Sequence, residues 1–257
     1  MDSPNPLLIV GHPGHELRIF GWVKKFHPIT AILTDGGGAA NRPRVDLSRH
    51  LLEAAGARPS TVFGRASDTD FYRAIIDLDF DFFEALGTEI VQIMIDADVR
   101  IVVGDAIEGY SPTHDICRVL IDRSVGLAER ILKRHIENYA FLLTDKAQKE
   151  PTLRASQEQL DLPAFQEKIV AAMTYAENVG GRLGAEIAEQ LIAPEATDFA
   201  NETLFVSDTS AVLKFFETTK PYYEVYGEDR VASGQYETVI RFRDHVAPLA
   251  KRILMAD

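Results

Sequence analysis

Three features of the sequence predict an α/β fold. Short apolar runs alternate with amphipathic segments through the first 145 residues, loops rich in glycine and histidine follow the apolar runs, and the pattern changes beyond Asp145. Alternating β and α units of this size form a mainly parallel, Rossmann-like sheet with helices on both faces. The rest of the chain, 146–257, is expected to form a mostly helical C-terminal cap on the same single domain, with 1–145 as its α/β core.

The elements follow in order. Residues 7–10 form a wholly apolar strand, and 16–26 a helix with Leu17, Phe20 and Val23 or Trp22 on one side. Residues 29–34 are the second strand, ended by Asp35-Gly36-Gly37-Gly38; residues 47–55 are a short helix closed by Gly56. A third strand is expected at 60–63 and helical segments over 71–97, broken near Gly87. Residues 100–104 are the fourth strand, 115–138 a long helix carrying Ile116, Val119, Leu120, Leu127 and Ile131, and 139–144 the fifth strand. Further on, 163–193 reads as helix interrupted at Gly180-Gly181, 203–206 as a strand, 209–217 and 235–254 as helices, and 220–224 as a tyrosine-rich turn.

Composition narrows the function classes. The 257 residues are 46% apolar and 26% charged, as in an ordinary globular protein. No apolar run reaches the length of a membrane span, and the N-terminal stretch lacks the basic region and apolar core of a secretory signal. A single cysteine, Cys117, leaves no internal disulfide and fits a cytoplasmic location; its place in the helix after His114 marks it as packing. Net charge is −12 with no basic block, so nucleic acid is not an expected partner. A small-molecule substrate is. Oligomeric state is not indicated.

Chemistry concentrates in two loops, Gly11-His12-Pro13-Gly14-His15-Glu16 and Ser111-Pro112-Thr113-His114. Both follow predicted strands and lead into helices. In an open α/β sheet, loops at the carboxyl ends of neighbouring strands meet at one crevice. Three imidazoles gathered there have the ligand count of a catalytic zinc site, which keeps one position open. Iron, cobalt, nickel or manganese suit the same donors. Asp35 lies near the spacing of a carboxylate that binds an NAD ribose, but Gly11 and Gly14 alone do not make the glycine fingerprint of such sites. Asp35 or Asp105 is expected to meet substrate hydroxyls, as carboxylates do in sugar sites, and Arg44 or Arg42 a substrate phosphate or carboxylate, the alternative being solvated loop charges. A C-terminal helix carrying His245 would be placed to close over the crevice.

The segment Val10-Gly11-His12-Pro13-Gly14-His15-Glu16 resembles the first signature of the GlcNAc-PI de-N-acetylase (PIG-L, or LmbE-like) family, Ala-His-Pro-Asp-Asp-Glu. Ser111-Pro112-Thr113-His114 partly matches the second signature, His-Pro-Asp-His, and Thr34-Asp35-Gly36-Gly37-Gly38 resembles the glycine-rich stretch between them. The resemblance, over residues 5–140, implies a Rossmann-like fold and zinc-dependent removal of acyl groups from amino-sugar amides. It implies that His12 and His114 are zinc ligands, with His15 in the place of a ligand aspartate. Gly14 stands where the family carries its general-base aspartate, and Ser111 where it has a histidine that assists the transition state. Another carboxylate must then handle the proton; Asp105, followed by Glu108, is expected to do so, since both share a loop with His114. Ser111 is left as a substrate contact.

The expected function is metal-dependent hydrolysis of an amide on a small polar substrate, such as an acylated amino sugar or a natural-product intermediate. Two alternatives stand beside it. One is the same metal scaffold turned to isomerisation or elimination on a carbonyl substrate. The other is a catalytically silent binder of a small molecule or protein.

Overall fold

The computed structural model describes residues 5–38, 42–144, 147–149, 153–181, 184, 185, 187, 188 and 199–256. Its strands are β1 (Pro6–Val10), β2 (Ile29–Thr34), β3 (Arg58–Ala66), β4 (Ile101–Asp105), β5 (Glu137–Phe141), β6 (Arg154–Gln159) and β7 (Asn201–Val206). Among the described residues they form one sheet in the order β3-β2-β1-β4-β5-β7-β6. The first five run parallel, and β7 and β6 add on antiparallel. The chain steps outward from β1 to β2 and β3, then returns to place β4 on the other side of β1. That reversal is the topological switch point, where such sheets open a crevice beyond their strand ends.

Helices cover both faces. Leu8, Val10, Ile32 and Val103 pack with Phe20, Trp22 and Val23 of α1 (Phe20–Phe26) and with Leu52 of α2 (Val45–Ala54). Leu7, Ile9, Leu33 and Val102 point the other way, into α3 (Asp68–Ile76), α4 (Phe80–Asp96) and α5 (Pro112–Leu132). Because both faces of β1 are buried, it reads as an unbroken apolar run rather than an alternating one. The C-terminal helices α7 (Thr209–Phe216), α8 (Tyr222–Ala232) and α9 (Ala247–Met255) join the second cluster through Val212, Phe216, Tyr223 and Leu249. The helix α6 (Leu162–Val179) lies on the first face against the turn that follows β1.

Several expectations are corrected. The break in 71–97 falls at Asp77-Leu78-Asp79, where Leu78 takes φ 53° and the Asp79 side chain accepts from Phe82 N–H to start α4. Gly87 stays inside α4, facing Leu120 and Arg123 of α5, where an added Cβ would make only ordinary contacts. The long helix begins at Pro112 and stops at Leu132, because Lys133 turns left-handed (φ 53°) and frees Glu137–Phe141 for β5. The first helix opens as a 3-10 turn, His15–Ile19, before α1. Residues 220–224, expected as a turn, instead start α8 behind Pro221. The C-terminal segment has a π-turn, Phe242–Val246, ahead of α9, in place of one helix from 235. Strand β6 was not expected at all: its six residues are all exposed, so no apolar pattern marks it, and its polarity suits a sheet edge. Helix α6 ends at Gly180 (φ 60°). Most of the predicted helical stretch after 181, and the boundary at Asp145, lie outside the described residues.

Candidate functional site

The crevice is built from the ends of β1, β2 and β4 and the first turns of α3 and α5. Gly11 leaves β1 under the Asp105 carboxylate, whose Oδ2 accepts its N–H at 2.7 Å; a Cβ there would stand 3.1 Å from the same oxygen. Gly14 takes φ 104° to bring the chain round into the 3-10 turn, and Glu16, wholly buried, accepts its N–H at 2.8 Å. His114 lies in the first turn of α5, behind Ser111 at its N-terminal boundary and Pro112.

The fold brings the three histidines together. Ring centroids are 5.3 Å apart for His12 and His15, 5.4 Å for His12 and His114, and 4.6 Å for His15 and His114. Each ring turns its Nδ1 toward a carboxylate. His12 Nδ1 lies 3.0 Å from Asp68 Oδ1 and 2.6 Å from Thr34 Oγ1; His15 Nδ1 lies 2.9 Å from Asp105 Oδ2; His114 Nδ1 lies 3.7 Å from Glu108 Oε2. Ionised carboxylates only accept, so the two short contacts assign the Nδ1–H tautomer to His12 and His15. Nε2 then carries the lone pair, as in imidazoles that ligate metals with a carboxylate behind them.

Burial and charge oppose each other here. Burial pulls the His15 pKa down to about 4, with the Asp105 charge resisting. For His114 burial also works downward, but Glu108, Asp105 and Asp115 outweigh it and hold the pKa above its ordinary value. Burial raises the Asp115 carboxyl to about 7, although it accepts the backbone N–H groups of Glu108 and Gly109. Asp105 and Asp68 are also penalised by burial, yet the adjacent imidazoles and N–H donors hold both below the usual carboxylate range.

The remaining residues singled out from sequence fall on this frame as follows. Asp105 and Glu108 are both buried and sit behind histidines; Glu108 Oε1 also accepts from Leu143 and Thr144 N–H. Asp35 Oδ1 accepts from Gly37 N–H (2.8 Å) and Asp68 N–H (3.1 Å). Arg44 folds back onto Gly36 O at 2.7 Å, with its Nη1 3.4 Å from the Tyr175 hydroxyl. Ser111 and Thr113 flank Tyr72 of α3, whose phenol burial raises while their hydroxyls partly offset the rise. His245 accepts the Arg241 N–H in the π-turn. Cys117 is core packing in α5, its thiol pushed up by burial.

Sequence reasoning missed Asp68, Thr34, Tyr72, Tyr110 and Tyr175. Tyr110 stacks at 6.4 Å on His114 and at 5.1 Å on Tyr222, forming an aromatic wall beside the histidines. Tyr175 of α6 lies against Gly14: a Cβ at Gly14 would stand 3.0 Å from its hydroxyl oxygen. Asp68 belongs to a helix start whose only sequence signal is the capping pair Ser67 and Asp70. Nothing in that pattern points to a histidine 56 residues earlier.

Among the described residues no three His, Cys, Asp or Glu side chains are arranged as placed to hold a metal ion. The donor chemistry nonetheless fits one: three imidazoles, two with Nε2 set free by tautomer, and buried carboxylates whose ion-pair partners are those imidazoles. No helix among the described residues is long and apolar enough to cross a membrane.

No family model matches the sequence, and no curated protein does. Solved structures do match. A triple mutant of a deacetylase of the teicoplanin biosynthetic pathway is 12% identical, with 78% of this chain covering 96% of that one at a TM-score of 0.54. The A40926 pseudoaglycone deacetylase is 17% identical, with 80% covering 97% at 0.54. A zinc-inhibited form of teicoplanin deacetylase is 14% identical, with 79% covering 99% at 0.53. The chain thus has the LmbE/PIG-L-like fold of these deacetylases, at 12–17% sequence identity.

Proposed function

We propose that this protein is a metal-dependent amide hydrolase of the N-deacetylase type. Its substrate class would be small and polar, an acylated amino sugar or a natural-product intermediate. The observation that carries this reading is the cluster of His12, His15 and His114 at the switch point, each with a carboxylate at Nδ1. The three Nε2 atoms would hold the ion, zinc by donor type. When bound, the ion would polarise the amide carbonyl and lower the pKa of water.

The chain's own residues do the rest. Asp105 and Glu108 serve the proton balance through His15 and His114 respectively, since each carboxylate faces an Nδ1 rather than open space. Tyr110, next to His114 and partly exposed, walls the side on which a substrate would lie. Ser111, in the place of the family's assisting histidine, offers a hydroxyl beside Tyr72. Arg44 and Asp35 contribute by holding the glycine loop, with substrate contact as a second role.

A second reading is favoured by one observation. Gly14 supplies no base, Asp68 and Asp105 are ion-paired with His12 and His15, and Glu108 holds the Leu143 and Thr144 N–H groups. A Lewis-acid reaction that needs no carboxylate base, isomerisation or elimination on a carbonyl substrate, suits that arrangement. Elemental analysis of purified protein beside a His12→Ala/His114→Ala double variant tests the shared premise. The expected result is about one transition metal per chain, lost in the variant. Acetate release from N-acetylated amino sugars then separates hydrolysis from the second reading. Absence of metal from both proteins after reconstitution would leave a silent binder.

A further inference from the structure

We propose that Asp68 is a positioning residue of the site: from the start of α3 it holds His12 in the Nδ1–H tautomer and ties that imidazole to the glycine loop. The proposal rests on the metal-site reading above and names a component that the two histidine loops do not contain.

The ordinary role for an aspartate in a first helical turn is to favour the helix dipole or accept the helix's own N–H groups. Ser67 already does the latter for α3, its hydroxyl accepting from Asp70 N–H. The Asp68 carboxylate is directed elsewhere. Oδ1 lies 3.0 Å from His12 Nδ1, and Oδ2 accepts from Gly38 N–H at 2.7 Å. Asp68 is only 6% exposed, so the ion-pair contact with His12 and the hydrogen bond from Gly38 act in a poorly hydrated setting, where charge interactions are strong. The residue is itself held: its N–H donates to Asp35 Oδ1, which also accepts from Gly37 N–H. A continuous path runs from the glycine loop through Asp35 and Asp68 to His12.

Thr34 completes the lock. Its Oγ1 lies 2.6 Å from His12 Nδ1 and donates to Gly11 O at 3.0 Å. With its hydrogen spent on Gly11, the hydroxyl can only accept from His12. Two acceptors, Asp68 and Thr34, therefore face one ring nitrogen, and a neutral Nδ1 lone pair there would repel both. The proton belongs on Nδ1 and the lone pair on Nε2. With Asp105 at His15 and Glu108 at His114, Asp68 brings the number of carboxylate-backed imidazoles to three. Partners of this kind are worth about 10–100-fold in metal affinity.

Asp68→Ala and Asp68→Asn variants test this with two readouts on the metal-free and zinc-titrated full chain. The first is the zinc dissociation constant, by competition with a chromophoric chelator. The second is the imidazole tautomer in the metal-free protein, by long-range ¹H–¹⁵N correlation spectra. Asp68→Ala should weaken zinc about 10–100-fold and lower the His12 Nδ1–H population, with Thr34 as its one remaining acceptor, while His15, backed by Asp105, keeps its tautomer as an internal control. Asp68→Asn, whose amide oxygen still accepts, should show a smaller loss and retain the fold if the alanine variant does not. Unchanged zinc affinity together with an unchanged His12 tautomer in both variants would overturn the proposal. If the wild-type chain binds no zinc while the tautomer still responds to Asp68 alone, the metal reading falls and the positioning role stands.

Discussion

At the scale of single residues, Gly14 shows most clearly how this site departs from its resemblance. Its φ of 104° disfavours any side chain, and Tyr175 occupies the space into which a Cβ would point. An aspartate there would need the Tyr175 ring to shift. Gly14→Ala should therefore cost about 1–3 kcal/mol, combining left-handed strain with overpacking. Gly38→Ala is the matched control, with φ 56° but open space around the added methyl, and should cost about 1–2 kcal/mol at most. Urea melts of the two variants decide whether Tyr175 contributes beyond backbone strain. His12, His15 and His114 were legible in the sequence because histidine beside glycine and proline at strand ends has few structural uses. Asp68 and Tyr175 were not, since each sits in an ordinary helical pattern and acquires meaning from a neighbour far along the chain.

At the scale of elements, α6 and β7 are fastened to the turn after β1 by one buried ion pair. Glu202 of β7 accepts from Gly21 N–H, Trp22 N–H and Lys168 Nζ, and Lys168 of α6 also donates to Arg18 O. Glu202 is 4% exposed and Lys168 fully buried. Glu202→Ala would strand the ammonium and two N–H groups, at a cost of about 3–5 kcal/mol, measurable by chemical denaturation. The pair also carries a pH signature. Burial lowers the Lys168 pKa to about 8, with Glu202 restoring part of the loss, against 10.5 for a free lysine. Between those values the unfolded chain holds a proton that the folded chain has released, so this group's contribution to stability rises with pH from about 8 toward 10.5. Lys168→Met should flatten that rise in pH-dependent melts; an unaltered slope would exclude Lys168 as its source.

Across the whole molecule, the sheet order brings the ends of β1 and β4 side by side, so that residues about 100 apart in sequence become ring neighbours. A centre assembled from several elements couples binding to folding. Zinc at about 100 times its dissociation constant should stabilise the chain by about 2.7 kcal/mol. The His12→Ala/His114→Ala variant should show no zinc-dependent shift in its thermal midpoint, and an equal shift in both proteins would place the ion elsewhere.

The sequence by itself determined the class of fold, the parallel strands 7–10, 29–34 and 100–104, and the two loops that carry the histidines. Those features are local: apolar runs buried on both faces, and turn chemistry at their ends. The tertiary structure alone decided which carboxylate serves which imidazole, that β6 closes the sheet edge, and that α6 fills the space beside Gly14. Such pairings depend on distance and direction between elements remote in the chain, and neither periodicity nor composition encodes them.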